Sequence, residues 1–174
     1  DILAALARLA DERWPSTRVS FVEVVDEFAR SIRKEMDYRL EAANTERFYK
    51  LYKDDRRVVV PRVYSDLTGP RLLVMEHVGG VKINDLAGLA QLGVDPVAVA
   101  RRGAELFLEQ VFIHGLFHGD PHPGNLFVLP GCRIGMIDFG VVGRLDEETV
   151  DAMADLFIGV TTRNVDRIID GLVR

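Results

Sequence analysis

Two polar loops on either side of a short hairpin pattern constrain the fold of this chain more than any other feature. The first loop lies in FHGDPHPGNLFV, residues 117–128, and the second in MIDFG, residues 136–140. Two short strands are predicted between and beside the loops, near 126–129 and 133–137, and Pro130-Gly131 predicts the turn that joins them. The predicted hairpin is therefore flanked by both loops.

The loops carry oxygen-bearing side chains at fixed intervals. Asp120 precedes Asn125 by five positions, and Asp138 follows Asn125 by thirteen. Phosphoryl transfer needs a carboxylate near the attacking hydroxyl or water, and oxygen ligands that hold magnesium on the phosphates. Asp, Asn, Gly and Pro are also ordinary turn residues. The two intervals together favour a phosphoryl-transfer site over simple turn chemistry.

Composition limits the class of protein. The 174 residues are enough for one domain with a hydrophobic core, and 28% of them are charged, as in an ordinary globular protein. The net charge of −5 and the pI of about 5.4 do not predict a nucleic-acid-binding surface. The single Cys132 argues against a disulfide framework or a cysteine zinc site. No apolar run reaches transmembrane length, and no signal peptide is visible.

The apolar periodicity predicts a mixture of helices and strands. Helices are predicted at residues 1–14, 21 to about 52, 95 to about 114 and 147–161, with another starting near Asn164. Residues 58–60 and 63–64 are predicted as a strand pair or as one strand broken by Pro61, and 71–78 as their hairpin partner, in addition to the hairpin at 126–137. The flexible pair Gly79-Gly80 predicts a boundary between residues 1–78 and 79–174. A nucleotide would lie in the crevice between two such lobes.

These segments resemble the protein-kinase fold. His118-Gly119-Asp120 with Asn125, followed by Asp-Phe-Gly at 138–140, is similar to the kinase catalytic loop and metal triplet. The segment HGDPHPGN, residues 118–125, resembles the corresponding segment of the UbiB/ADCK family of atypical kinase-like proteins. EMDYRLEA, residues 35–42, resembles that family's Glu-x-Asp segment, and VMEHV, residues 74–78, resembles a kinase hinge with a methionine gatekeeper. The resemblance covers essentially the whole chain. It implies an α+β two-lobe fold with a partial small lobe and a mainly helical large lobe.

The resemblance implies a role for each residue of the two loops. Asp120 is expected to orient or deprotonate the attacking group, and Asn125 and Asp138 are expected to bind magnesium. His122 is a second catalytic candidate, which either contacts a phosphate or only orders the loop. His118 is expected to anchor the loop.

The resemblance also implies nucleotide-binding residues outside the loops. Glu35 is expected to pair with a nucleotide-binding lysine or to make an inhibitory contact of the family, and Asp37 to assist in metal or loop contacts. Periodicity alone is equally typical of a solvated helix face for both. Met75 is expected to border the adenine pocket, and Glu76 and Val78 to offer backbone groups to the adenine edge.

The implied function is that of an atypical kinase or ATPase that uses ATP and Mg²⁺ and is linked to isoprenoid quinone (ubiquinone-type) biosynthesis. The implied ligands include a lipid or quinone precursor, and the implied location is cytoplasmic, with membrane association in the full-length protein. Two alternatives stay open. One is a pseudokinase-like module that binds nucleotide or lipid without turnover. The other is a small-molecule phosphotransferase of the aminoglycoside or choline kinase type.

Part of the family's phosphate-binding apparatus is absent from the sequence. The chain has no lysine in a Val-Ala-x-Lys context, no glycine- or alanine-rich nucleotide loop and no Lys-x-Gly-Gln segment. In the family these parts precede the position of Asp1, which itself falls inside a predicted helix. We therefore interpret the chain as a piece of a longer protein and expect it to be inactive by itself.

Overall fold

The computed structural model describes residues 2–14, 20–35 and 37–173, and only the backbone of residues 31–35. These residues form seven α-helices, a 3₁₀ turn at Ser65–Leu67 and six short strands. The helices are α1 (Ile2–Arg13), α2 (Phe21–Glu35), α3 (Tyr38–Tyr52), α4 (Leu86–Gln91), α5 (Pro96–Phe112), α6 (Glu147–Thr162) and α7 (Val165–Val173). The strands are β1 (Val58–Val59), β2 (Val81–Lys82), β3 (Leu116–His118), β4 (Leu126–Leu129), β5 (Arg133–Met136) and β6 (Val142–Arg144). The predicted α+β class is confirmed.

Asp37 divides the long helix that the sequence predicts from residue 21 to about 52. Its backbone is extended, with φ −102° and ψ 93°, and its carboxylate accepts a hydrogen bond of 3.1 Å from the backbone N–H of Arg39. An aspartate in this conformation is a helix N-cap, so α3 starts anew after it. The continuous helix was therefore wrong at this point, because Asp37 caps α3; its part in metal or loop contacts stays a prediction. Met36 lies outside the described residues.

The predicted hairpin is confirmed as β4 and β5, which pair antiparallel from Leu126 with Met136 to Leu129 with Arg133. They are the central strands of a four-stranded sheet in the order β1-β5-β4-β2, in which β1 pairs parallel with β5. The strand predicted at 71–78 was wrong. That stretch forms only single bridges, one between Val63 and Met75 and one between Gly69 and Leu72.

A second, two-stranded sheet closes the region around the polar loops. Its strands β3 and β6 pair antiparallel, with Phe117 opposite Gly143 and His118 opposite Val142. The first loop runs from β3 to β4, and the second runs from β5 to β6. Because β4 pairs with β5 and β3 pairs with β6, both ends of the two loops are held next to each other. The loops must therefore lie side by side.

One hydrophobic core spans the predicted lobe boundary. It contains Phe48 and Tyr52 of α3 together with residues of strands, loops and helices on both sides of the boundary: Val58, Val60, Leu89, Val99, Leu106, Val128, Ile134, Met136 and Phe139. The division into residues 1–78 and 79–174 stays a prediction. No helix within the described residues combines the length and apolar character that a membrane span requires.

An ion-pair cluster fastens the start of β1 to α5. The Arg57 guanidinium donates to both carboxylate oxygens of Glu109, at 2.8 and 2.6 Å, and also to Asp55 at 2.8 Å. The side chains are 38%, 27% and 22% exposed, respectively. These hydrogen bonds from Arg57 hold the pKa of both Asp55 and Glu109 below the usual values of 3.8 and 4.5.

We expect this cluster to make folding sensitive to acid. A carboxylate with a lowered folded-state pKa stabilises the fold above its ordinary pKa and loses that contribution as the pH falls through the lowered value. The free energy of unfolding should therefore decline below about pH 4.5, with Arg57→Met costing about 1 kcal/mol at pH 7 and flattening the decline. Urea denaturation from pH 3 to 7 measures this. Arg56→Met, at an exposed neighbour, is the control; equal slopes for the two variants would contradict the assignment.

Candidate active site

His118 anchors the start of the first loop. Its side chain is 1% exposed, and its backbone N–H donates to Oε1 of the buried Gln110 at 2.9 Å. Its Nδ1 accepts a hydrogen bond from the backbone N–H of Asp120 at 3.2 Å, which assigns the proton to Nε2. Nε2 lies 3.0 Å from the carbonyl oxygen of Ile137 and so donates to it. His118 therefore ties the first loop to the residue that precedes Asp138.

Asn125 ends the first loop in a fixed orientation. It is 5% exposed, and its backbone N–H donates to the carbonyl of His122 at 2.9 Å. Its side-chain Nδ2 donates to the carbonyl of Asp120 at 3.2 Å. Because the nitrogen of the amide is engaged within the loop, Oδ1 is the atom left to act as a ligand. The backbone carbonyl of Asn125 accepts a hydrogen bond of 3.0 Å from Ile137, which joins this loop to the second.

The side chains of Asp120 and His122 stand at the surface of the loop, 53% and 52% exposed. His122 Nδ1 accepts from the backbone N–H of Gly124 at 2.9 Å, so its Nε2 carries the proton in the neutral ring. Nε2 lies 3.8 Å from Oδ2 of Asp120, within ion-pair range but beyond a hydrogen bond. A β-carbon on Gly124 would lie 2.4 Å from His122 Cε1, so this ring position requires a glycine there.

Asp138 begins the second loop in a conformation that is uncommon for residues other than glycine. Its φ is +62°, in the left-handed region that costs an L-residue roughly 1–2 kcal/mol. The next residue, Phe139, is fully buried, with its ring 4.6 Å from that of Phe48 and 5.0 Å from that of His118. The Asp138 side chain stays exposed and accepts a 3.4 Å hydrogen bond from Gly140. Burial of the phenylalanine thus accompanies exposure of the carboxylate.

The helix α3 reaches the second loop through two polar residues. Asn44 donates from Nδ2 to the carbonyl of Phe139 at 2.9 Å. Glu41 lies one turn earlier; burial raises its pKa, and the negative charge of Asp138 raises it further. Two carboxylates that repel one another concentrate negative potential where a cation would bind. Sequence reasoning missed both residues, although Thr45, Phe48 and Tyr52 mark the buried face beside them.

The residues predicted to border the nucleotide lie near the same sheet. Glu76 donates from its backbone N–H to the carbonyl of Arg62 at 2.9 Å, and its side chain accepts from the N–H of Arg62 at 3.1 Å. The carbonyl of Glu76 and the N–H of Val78 take no part in this pairing. Val78 is 8% exposed and contacts β5 at Gly135, where an added β-carbon would lie 2.7 Å from Val78 Cγ1. Met75 is half-buried at its bridge to Val63.

The structure brings the predicted residues of the two loops together, and of the predicted hinge residues it places Val78 against β5. The two adjoining loops carry Asp120, His122, Asn125 and Asp138, and β5 connects them to the segment that carries Met75, Glu76 and Val78. The side chain of Glu35 lies outside the described residues, so its role stays a prediction. In the described part of the chain, no three His, Cys, Asp or Glu side chains form a metal cluster. Carboxylate and amide oxygens without a full protein cage suit Mg²⁺, which also takes water and phosphate oxygens.

Lys82 of β2 contacts the first loop. The sequence alone did not indicate this contact. Its ammonium donates to the carbonyl of Gly124 and lies 3.8 Å from the ring centroid of Phe127. Lys82 is exposed, so we expect Lys82→Met to lower the free energy of unfolding by about 0.5–1 kcal/mol. Urea denaturation measures this, with Lys82→Arg as the charge-preserving control. An arginine variant that loses as much stability as the methionine variant would argue against the charge contacts.

Comparison with known proteins identifies a family and relatives that this chain resembles. The sequence model of the ABC1 atypical kinase-like domain matches residues 1–172. The chain is 37% identical to the chloroplastic protein Activity of BC1 complex kinase 8 of Arabidopsis thaliana, over 99% of this chain and 23% of that protein. It is 36% identical to the probable protein kinase UbiB of Cronobacter sakazakii, over 96% of this chain and 32% of that protein. The chain thus spans less than a third of the length of these relatives.

A solved structure agrees with the sequence matches. Rv3197 of Mycobacterium tuberculosis, in a structure with erythromycin, superposes with a TM-score of 0.66 and is 32% identical, over 89% of this chain and 39% of that one. The predicted kinase-like fold is therefore confirmed. Since the domain match runs from the first helix to the last, and since relatives and solved structure agree with it, the chain belongs to the ABC1 atypical kinase-like family.

Proposed function

We propose that these residues form the metal-holding part of an ATP-binding, Mg²⁺-dependent atypical kinase or ATPase. The observation that carries the proposal is the pairing of two ligand positions by one backbone hydrogen bond. Ile137, which precedes Asp138, donates its N–H to the carbonyl of Asn125 at 3.0 Å. The carboxylate of Asp138 and the amide Oδ1 of Asn125 are thereby fixed on neighbouring loops. These two residues would hold Mg²⁺, which neutralises charge on the phosphates when bound.

Other residues of the chain would accept the proton, contact the phosphate and bind the adenine. Asp120 has its backbone N–H held by His118, and its exposed carboxylate can accept a proton from an incoming hydroxyl or water. His122 presents an Nε2–H beside that carboxylate and can orient it or contact a phosphate oxygen. Glu41 adds negative charge on the α3 side of Asp138. The backbone carbonyl of Glu76 and N–H of Val78 would contact the adenine edge, with Met75 at its border.

The names of the relatives support a biological role for the full-length protein. Their names include UbiB and the BC1 complex kinases, which supports a role linked to isoprenoid quinone biosynthesis. We propose a lipid or quinone precursor as a ligand and membrane association in the full-length protein. The nucleotide-binding lysine and phosphate loop would come from residues outside this chain. Retention of Asp120, Asn125 and Asp138 together favours turnover over a pseudokinase that only binds.

The test combines ligand binding with turnover in the full-length protein. A thermal-shift titration with ATP, with and without Mg²⁺, is run beside an assay of phosphate release. Stabilisation that requires Mg²⁺ together with phosphate release supports the proposal. Stabilisation without release favours the pseudokinase-like module. Phosphate transfer to amino sugars or choline in an acceptor screen would favour a small-molecule phosphotransferase, and the absence of any ATP response would overturn the nucleotide assignment.

A further inference from the structure

We propose that Asn44 is a positioning residue that holds Asp138 in its metal-binding conformation from the α3 helix. This inference rests on the proposed function, because it assigns Asn44 a purpose only if Asp138 binds a metal. The contact joins residues 95 positions apart in the chain. Local sequence around either loop therefore cannot supply it.

The hydrogen bond acts on the peptide directly after the strained residue. Asn44 Nδ2 donates to the carbonyl oxygen of Phe139 at 2.9 Å, in a half-buried environment. Within the residues that the structure describes, no other side-chain hydrogen bond joins α3 to residues 138–140. The carbonyl of Phe139 belongs to the peptide that leads into Gly140, whose N–H donates to Asp138 Oδ1. Asn44 thus fixes the orientation of the peptide whose N–H donates to the Asp138 carboxylate.

The left-handed backbone of Asp138 explains why such a contact is required. A non-glycine residue at φ +62° carries a conformational cost, which the contacts around it must offset. On the preceding side, the Ile137 N–H is held by Asn125. On the following side, Phe139 is buried against Phe48, which holds the ring, but this packing makes no hydrogen bond to the carbonyl of the peptide that leads into Gly140. The Asn44 hydrogen bond holds the carbonyl side of that peptide, and the longer hydrogen bond from Gly140 holds its N–H side.

A packing role and a positioning role for Asn44 predict different effects of its replacement. Packing of α3 against the second loop rests on Phe48 and Phe139, whose rings are 4.6 Å apart. Loss of the Asn44 donor should leave that packing in place. It should release the peptide after Phe139 and lower the occupancy of the left-handed state of Asp138. The expected signature is weaker binding of Mg²⁺ with unchanged binding of nucleotide alone.

The experiment uses the full-length protein with two variants of similar size to Asn. Asn44→Leu and Asn44→Val both remove the donor without adding charge, and Val provides a second variant if Leu perturbs folding. With a non-hydrolysable ATP analogue, the Mg²⁺ concentration for half-maximal thermal shift should rise about fivefold to tenfold, the worth of one hydrogen bond. Hydrogen–deuterium exchange should quicken for residues 138–140 in both variants. Ser65→Ala is the control, since it removes a 2.8 Å hydrogen bond to Glu46 of the same helix, away from the second loop.

Each outcome decides the inference. A raised Mg²⁺ requirement with faster local exchange in both Asn44 variants, but not in the control, supports it. An unchanged Mg²⁺ requirement, or faster exchange spread along all of α3, overturns it. If the unsubstituted protein shows no Mg²⁺ response, the proposed function fails independently, and the exchange data then decide alone. In that case, faster exchange confined to residues 138–140 supports only the hold of Asn44 on the backbone around Asp138, and unchanged exchange overturns that hold as well.

Discussion

Replacement of Asp138 by Asn should abolish Mg²⁺-dependent nucleotide binding in the full-length protein. Asn has nearly the same shape as Asp and tolerates the left-handed backbone at φ +62° at least as well, so the loop should keep its conformation. The substitution removes only the negative charge that would face the metal. Replacing a residue that hydrogen-bonds to a metal ligand typically lowers metal affinity about 10–100-fold. Loss of a direct ligand should therefore lower the Mg²⁺ affinity about 100-fold or more.

The measurement is a thermal-shift titration of Mg²⁺ at fixed ATP, with phosphate release as a second readout. Asp54→Asn makes the same chemical change at an exposed position of the turn after α3 and should behave like the unsubstituted protein. Circular dichroism should show the same folded content in both variants. If Asp138→Asn kept its Mg²⁺ response and its phosphate release, the metal-ligand assignment would be wrong.

Replacement of Phe139 by Ala should produce the largest loss of stability among single changes near the site. Phe139 is 0% exposed and packs against the rings of Phe48 and His118. Removal of a buried phenylalanine side chain leaves a cavity and typically costs about 3–5 kcal/mol. Because His118 carries the hydrogen bonds that align both loops, the same cavity should also weaken the Mg²⁺ response.

Urea denaturation of the full-length protein measures the stability change. Phe139→Leu fills most of the volume and should recover a large share of the loss. Phe157→Ala removes the same atoms from a residue that is 54% exposed on α6, and it should cost about 1 kcal/mol. An equal cost for Phe139→Ala and Phe157→Ala would contradict the buried packing described for the second loop.

Elements with a local signal could be predicted from the sequence. Asp95 and Asp146 cap α5 and α6 as predicted, because an N-cap depends only on its own residue and the next turn. The β4–β5 hairpin was predictable for the same reason, since Pro130-Gly131 places its strands side by side. The kinase-like resemblance of the loops likewise rested on short intervals along the chain.

Features that depend on distant contacts could not be predicted in the same way. β3 and β6 are three residues long and acquire strand character only by pairing across both loops. Segment 71–78 is rich in β-forming residues, but the hairpin takes the place beside β1 that this segment was expected to fill. Glu41 reads as a polar residue on a helix, and only the packing of α3 brings it near Asp138.

The nesting of one strand pair inside the other has a consequence for how the protein folds. β3 to β6 occupy only residues 116–144, so both loops and the strands that align them have low contact order. Such a unit can form early and fast, whereas the contacts from α3 require closure of a loop of about 95 residues and are formed later. We therefore expect the two loops to assemble as an independent folding nucleus, and docking of α3 to be the slower step that completes the site.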